Sequence, residues 1–408
     1  MDPDSRVVLH DLRIHREDGD VLAGRLETGV FVALPELGAE IIAMLGDGMA
    51  VGAVGDRLRQ EHGADVDVDG FVGDLLGLGF VKAVDGHLTA AGDDGGLPRT
   101  EWNWLSPSAA AAVFSRPVKA LWLAALGAAV VALVLRPSLF PRPGDLYWTP
   151  SSTVVLLTTT AFAIATSLVH ESAHLAAARS CGIAAGISLS TRLGDLVIQT
   201  RATALWSVPR HQRYRFYLAG MACDLALLSA LILTQAALDP RSPVGHFLAA
   251  ASVLILLRLA WQAGLYTRTD LYLVVMDAVR CRNLFDDAAA YARFWIATRV
   301  PPLRAREPAP GNPLDAIPDH ERPWIKAYAL VMVAGSALAV ALGVAYGVPW
   351  LTHLVRSTSS EIASGAAHER WAMLADGGGT LLIEGSLLAL FAVTFVRGRK
   401  GRPAPAAR

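Results

Sequence analysis

Six apolar runs set the limits on what this 408-residue chain can fold into. They cover 120–135, 153–177, 216–238, 247–265, 327–346 and 380–396. Each comes close to the roughly 20 residues with which a helix crosses a hydrocarbon core. A mean hydropathy of +0.39 with 18% charged residues is too apolar for an ordinary soluble enzyme. The pattern fits an α-helical polytopic membrane protein, of about six spans by length, that carries a small soluble part.

The basic residues orient those spans. Arg192, Arg201, Arg210, Arg213 and Arg215 fall between the second and third runs. Arg268, Arg280, Arg282, Arg293, Arg299, Arg304 and Arg306 fall between the fourth and fifth, and Arg397, Arg399, Lys400 and Arg402 follow the last. The alternate loops hold fewer. Basic loops stay on the cytoplasmic side, so both termini are expected there, as an even number of spans requires. The opening MDPDSRVVLHDLRIHRED is acidic and polar and lacks a signal-peptide profile. The expected location is the cytoplasmic (inner) membrane, and the bilayer is the first partner implied. A net charge of −1 gives no reason to expect nucleic acid. Cys181, Cys223 and Cys281 are odd in number and widely spaced, which excludes a disulfide framework or a paired metal-binding spacing. Trp102, Trp104, Trp122 and Trp148 read as interfacial anchors. No internal repeat is present.

Four segments follow: a soluble domain at 1–95, a linker at 96–117, a membrane domain at 118–400 and a tail at 401–408. In the first, 6–16 and 21–34 are β-prone runs joined by the turn sequence Glu17-Asp18-Gly19-Asp20. Pro35 suits the first turn of a helix carrying Leu37, Ile41, Ile42 and Leu45 on one face, stopped by Gly46-Asp47-Gly48. A second helix holds Val51, Val54 and Leu58 and ends near Gly63. A third follows Asp69, with Phe71, Val72, Leu75, Leu76 and Phe80 on its apolar side. A short strand around 82–88 completes an α+β winged-helix pattern. Asp69 and Asp74 stand on the third helix where phosphate contacts would want Lys or Arg.

Over FVALPELGAEIIAMLGDGMAVGAVGDRLRQEHGADVDVDGFVGDLLGLGFV this domain resembles the PqqD-like module, which binds leader peptides of ribosomally made, modified peptides. The resemblance implies that a peptide adds as a strand at the sheet edge near 21–32, beside the third helix.

The chemistry-bearing motif is His170-Glu171-Ser172-Ala173-His174, inside the second apolar run. Two imidazoles four residues apart project from one helix face and can share a Zn²⁺. The glutamate between them can take a proton from an attacking water. Ionisable groups at membrane depth are costly, which makes them functional candidates. A zinc enzyme needs a third protein ligand and an open position. Asp270 follows the fourth run, which crosses in the same direction as the second, at a depth similar to the histidines; Asp277 and Asp224 are the other candidates. Asp224 could also hydrogen-bond a ligand from outside the metal shell. Glu384 sits mid-run in the last span and calls for a partner. His353 and His368 fall in the loop before that span, away from the motif in depth.

LVHESAHLAAARSCGI, RFYLAGMACDLALL and TDLYLVVMDAVRCRNL resemble the site-2-protease class of intramembrane zinc metallopeptidases, in the branch tied to peptide natural products. The resemblance covers roughly 150–290; the family's Asn-Pro and Asp-Gly pieces are absent, and Leu271 stands at the glycine position. It implies zinc held by His170, His174 and Asp270, with Glu171 as the base. The expected function is a zinc endopeptidase that removes the leader of a precursor peptide, with peptide-modifying enzymes as further partners. Two other readings are cleavage of a membrane-bound regulator, and a non-catalytic scaffold or export partner for a modified peptide.

Overall fold

The computed structural model describes residues 2–17, 20–25, 30–63, 65–89, 105–183, 185–192, 195–281, 283–299 and 311–400. Trp102, Trp104, Arg282, Arg304, Arg306, Arg402, residues 96–104 of the expected linker and the tail lie outside them. The fold is mostly helical, and the chain divides into two compact units. Met1–Ala112, Leu175–Ile187 and Thr200–Arg215 form the first; Val113–His174, Ser188–Gln199 and Phe216–Arg408 form the second.

In the first unit the two expected β-runs each break into two strands. β1 (Val7–Leu9) pairs antiparallel with β5 (Val81–Val84), which pairs in turn with β6 (His87–Leu88). β2 (Leu12–Glu17), β3 (Asp20–Arg25) and β4 (Val30–Leu34) make a separate sheet in that order, with Glu17 opposite Asp20 and Gly24 opposite Phe31. This corrects the expected docking edge. Residues 21–25 belong to the central strand, whose backbone groups are paired on both sides. The outer edges are β2 and β4. What read as one strand near 82–88 is likewise a hairpin.

Three helices pack on these strands: α1 (Glu36–Gly46), α2 (Val51–His62) and α3 (Val68–Gly77). Pro35 caps α1 in extended conformation, and α2 ends on Gly63 at φ 62°, a left-handed position that glycine takes without strain. α3 starts two residues earlier than the sequence suggests, because Asp67 and not Asp69 accepts the Gly70 N–H at 2.8 Å. The core joins Val7, Ala23, Ile41, Ile42, Leu45, Val54, Leu58, Val72, Leu75 and Phe80. The helical spacing of Ile41, Ile42 and Leu45, of Val54 and Leu58, and of Val72 and Leu75 gives each helix one apolar face to pack.

Six helices are long and apolar enough to cross a membrane: Pro107–Leu135, Ser152–Ser180, Arg210–Ala237, Pro243–Gln262, Arg322–Ala367 and Trp371–Leu390. The first comprises α4 (Pro107–Val113) and α5 (Arg116–Leu135), so the linker reading of 107–113 gives way to helix. α6 (Ser152–Ser180) carries the histidine motif. β7 (Gly186–Arg192) and β8 (Asp195–Arg201) pair after it, followed by α7 (Arg210–Ala237), α8 (Pro243–Gln262), α9 (Asp270–Ala278) and α10 (Leu284–Arg299). α11 (Arg322–Leu342) continues through a wide helical turn at Gly343–Gly347 into α12 (Val348–Ala367), and α13 (Trp371–Lys400) returns against α12. The region containing His353 is therefore helix and not the expected loop, while His368 ends α12. Leu121 and Val134 on α5 are each 72% exposed, a surface suited to lipid and not to water.

Candidate metal centre

α6 is built to run unbroken through an apolar medium. Asp376 of α13 accepts the first-turn N–H groups of Ser152 at 3.1 Å and Thr153 at 2.9 Å, which a helix start otherwise leaves unpaired. Within the helix, the hydroxyls of Thr158, Thr159 and Thr166 donate back to the carbonyls four residues earlier, at 2.6, 2.6 and 2.8 Å. His170 lies 18 positions after Ser152, about 27 Å along the axis at 1.5 Å per residue.

His170 and His174 are 5% and 3% exposed. Their Nε2 atoms stand 3.3 Å apart, and each approaches the same oxygen, Oδ2 of Asp270, at 3.2 and 3.1 Å. Among the described residues these three make up the group able to hold a metal ion, their ligand atoms all within 4.8 Å of one another. Asp270 opens α9. Thr269 caps that helix by accepting the Tyr272 N–H at 3.3 Å, and a carboxylate in the first turn is favoured by the helix dipole. Tyr272, its phenol pushed up to about 12 by burial, stays neutral and accepts the Phe285 N–H at 3.1 Å, which ties α9 to α10.

Both imidazoles spend their other nitrogen elsewhere. His174 Nδ1 donates to the carbonyl of Phe216 at 2.8 Å, and His170 Nδ1 donates to Asp224 Oδ2 at 2.9 Å. A carbonyl can only accept, and Asp224 is ion-paired with Arg258, so Nδ1 carries the proton in each neutral ring. The Nε2 lone pairs then face each other and a carboxylate oxygen. Three acceptors at this spacing repel unless a cation stands between them. A tetrahedral ion with bonds of about 2.0–2.1 Å has ligand-to-ligand edges of about 3.3 Å, close to the three edges observed.

Gly220 of α7 makes the close approach possible. A Cβ at that position would lie 2.4 Å from Nε2 of both His170 and His174. Glu171 follows His170 on the same turn and is half-buried. Asp224, fully buried, is held by Arg258 through Nε to Oδ2 at 3.0 Å and a second bond from the guanidinium to Oδ1. Arg258 also donates to Thr166 at 3.0 Å and Ser167 at 3.4 Å. Gln262 accepts the Asp270 N–H at 3.0 Å and donates to Asp270 Oδ2 at 3.3 Å.

Of the residues singled out in the sequence, His170, His174 and Asp270 come together and Asp224 touches His170. Asp277 is buried on α9 but is not part of the group, and neither is Glu384 on α13. Cys281 is buried, and burial pushes its thiol up to about 12, so it offers no thiolate. Arg258, Gln262 and Gly220 were not anticipated. Arg258 had a legible signal, a charge inside the fourth apolar run. Compared with known proteins, the chain matches no family model, no curated protein and no solved structure at a significant level.

Proposed function

We propose that the chain is an intramembrane zinc metalloendopeptidase of the site-2-protease kind, with an N-terminal peptide-recognition domain of the PqqD-like type. The reading rests on one observation above the rest: two imidazole lone pairs and a carboxylate oxygen converge at the edge lengths of a tetrahedral site, beside a glutamate. Zn²⁺ bound there supplies Lewis-acid chemistry, polarising a carbonyl and lowering the pKa of a water molecule toward 7. His170, His174 and Asp270 would hold it. Glu171 takes the proton of the attacking water and delivers it to the leaving amine, breaking the C–N bond. Asp224 and the Phe216 carbonyl keep the two rings in the tautomer that presents Nε2.

The substrate is an extended precursor peptide, since peptide bonds inside a helix are shielded by their own hydrogen bonds. Its leader would add as a strand to the outer edge of β2 or β4, and cleavage would remove it during maturation of a ribosomally made, modified peptide. With the arginine-rich loops on the cytoplasmic side, both termini and this domain face the cytoplasm.

The test is metal content and peptide cleavage by the detergent-purified chain beside Glu171→Gln. One zinc in each protein, with cleavage of a precursor peptide in wild type alone, is the expected result. Zinc in both with cleavage of only membrane-embedded substrates would move the reading to release of membrane-bound regulators. Absence of metal from both would leave a non-catalytic scaffold.

A further inference from the structure

α8 contributes none of the three groups that could bind the metal, yet it reaches each of the elements that do. Arg258 and Gln262 sit one turn apart, on one face of this helix. From Arg258, a two-pronged contact holds the carboxylate of Asp224 on α7, which in turn fixes His170 through Nδ1. The same guanidinium bonds Thr166 and Ser167, about one turn before His170 on α6. From Gln262, the side-chain carbonyl takes the Asp270 N–H and the amide donates to the very oxygen that faces both histidines. Arg258 thus fixes the direction of one imidazole, and Gln262 that of the carboxylate.

We propose that Arg258 and Gln262 are the positioning residues of this metal centre, registering α6, α7 and α9 from a helix that supplies no ligand. The proposal rests on the metallopeptidase reading above. Two physical points carry it. Asp224 presents two oxygens in a fully buried site, and a guanidinium engages both of them in one plane where an ammonium cannot. Groups that orient metal ligands from outside the coordination shell change metal affinity about 10- to 100-fold when removed.

The experiment uses the full chain in detergent, with Co²⁺ as the probe, because its visible absorption reports ligand geometry. Wild type is expected to take one Co²⁺ with the intense bands of a tetrahedral site. Arg258→Met and Gln262→Met should each weaken Co²⁺ binding about 10- to 100-fold and displace the bands. Arg258→Lys keeps the charge and loses the two-pronged contact, so it should fold, bind with intermediate affinity and still show displaced bands. Should Arg258→Met fail to fold, Arg258→Lys and Gln262→Met decide the matter. Wild-type affinity and spectrum in those variants would overturn the proposal, even with lowered thermal stability, since that pattern marks simple packing. A wild-type chain that takes no Co²⁺ would overturn the metal centre itself, and this proposal with it.

Discussion

At position 220 a hydrogen atom is the largest substituent the site admits. Gly220→Ala would drive a methyl into both imidazoles at 2.4 Å, and neither ring can retreat without breaking its Nδ1 bond. Overpacking of this kind costs about 1–3 kcal/mol. The expected outcome is a folded protein with metal affinity reduced by at least the ~10–100-fold seen when orienting partners are lost; a chelator competition measures it. His170→Ala and His174→Ala should instead lose the metal outright. The two histidines were legible in the sequence because a helix of 3.6 residues per turn brings positions four apart onto one face. Asp270 was legible through depth, as a carboxylate just past a span of matching direction. Gly220 and Gln262 were not, because their roles depend on which helices pack together, and no spacing along the chain encodes that.

Asp376 shows how an element end can depend on a distant segment. It pairs N–H groups at the start of α6 from the other end of the chain. Asp376→Ala should lower stability by about 1–2 kcal/mol, read as a drop in thermal midpoint in detergent. Metal affinity should stay as in wild type, because His170 lies about 27 Å along the helix from that cap. The spans were legible as elements, since hydropathy over some 20 residues is a strong signal. The helix at Val348–Ala367 was not: His353, Arg356 and a serine-threonine run dilute its hydropathy, and it forms as a continuation of α11. In the N-terminal sheets, β-prone composition and a turn sequence marked the β-runs, but which strand lies inside depends on pairing between strands. There Leu58, with no exposed surface, anchors α2, and Leu58→Ala should cost about 2–5 kcal/mol. Denaturant unfolding followed by far-UV circular dichroism would detect it.

For the whole molecule the topology is the accessible prediction. Reporter fusions at the C-terminus should be active as cytoplasmic reporters, and fusions at 239–242, between α7 and α8, should be active as external ones. The opposite pattern would invert the orientation argued from the arginines. The convergence of three acceptors has a consequence for stability as well. An ion that binds the folded chain and ignores the unfolded one adds RT ln(1 + [ion]/Kd) to its stability, about 2.7 kcal/mol at a hundredfold excess over Kd. The thermal midpoint should therefore climb with the logarithm of free zinc, and a flat response would count against the site. On the zinc reading proposed above, abundance becomes a gauge of zinc supply, with starved cells expected to lose the protein to quality control.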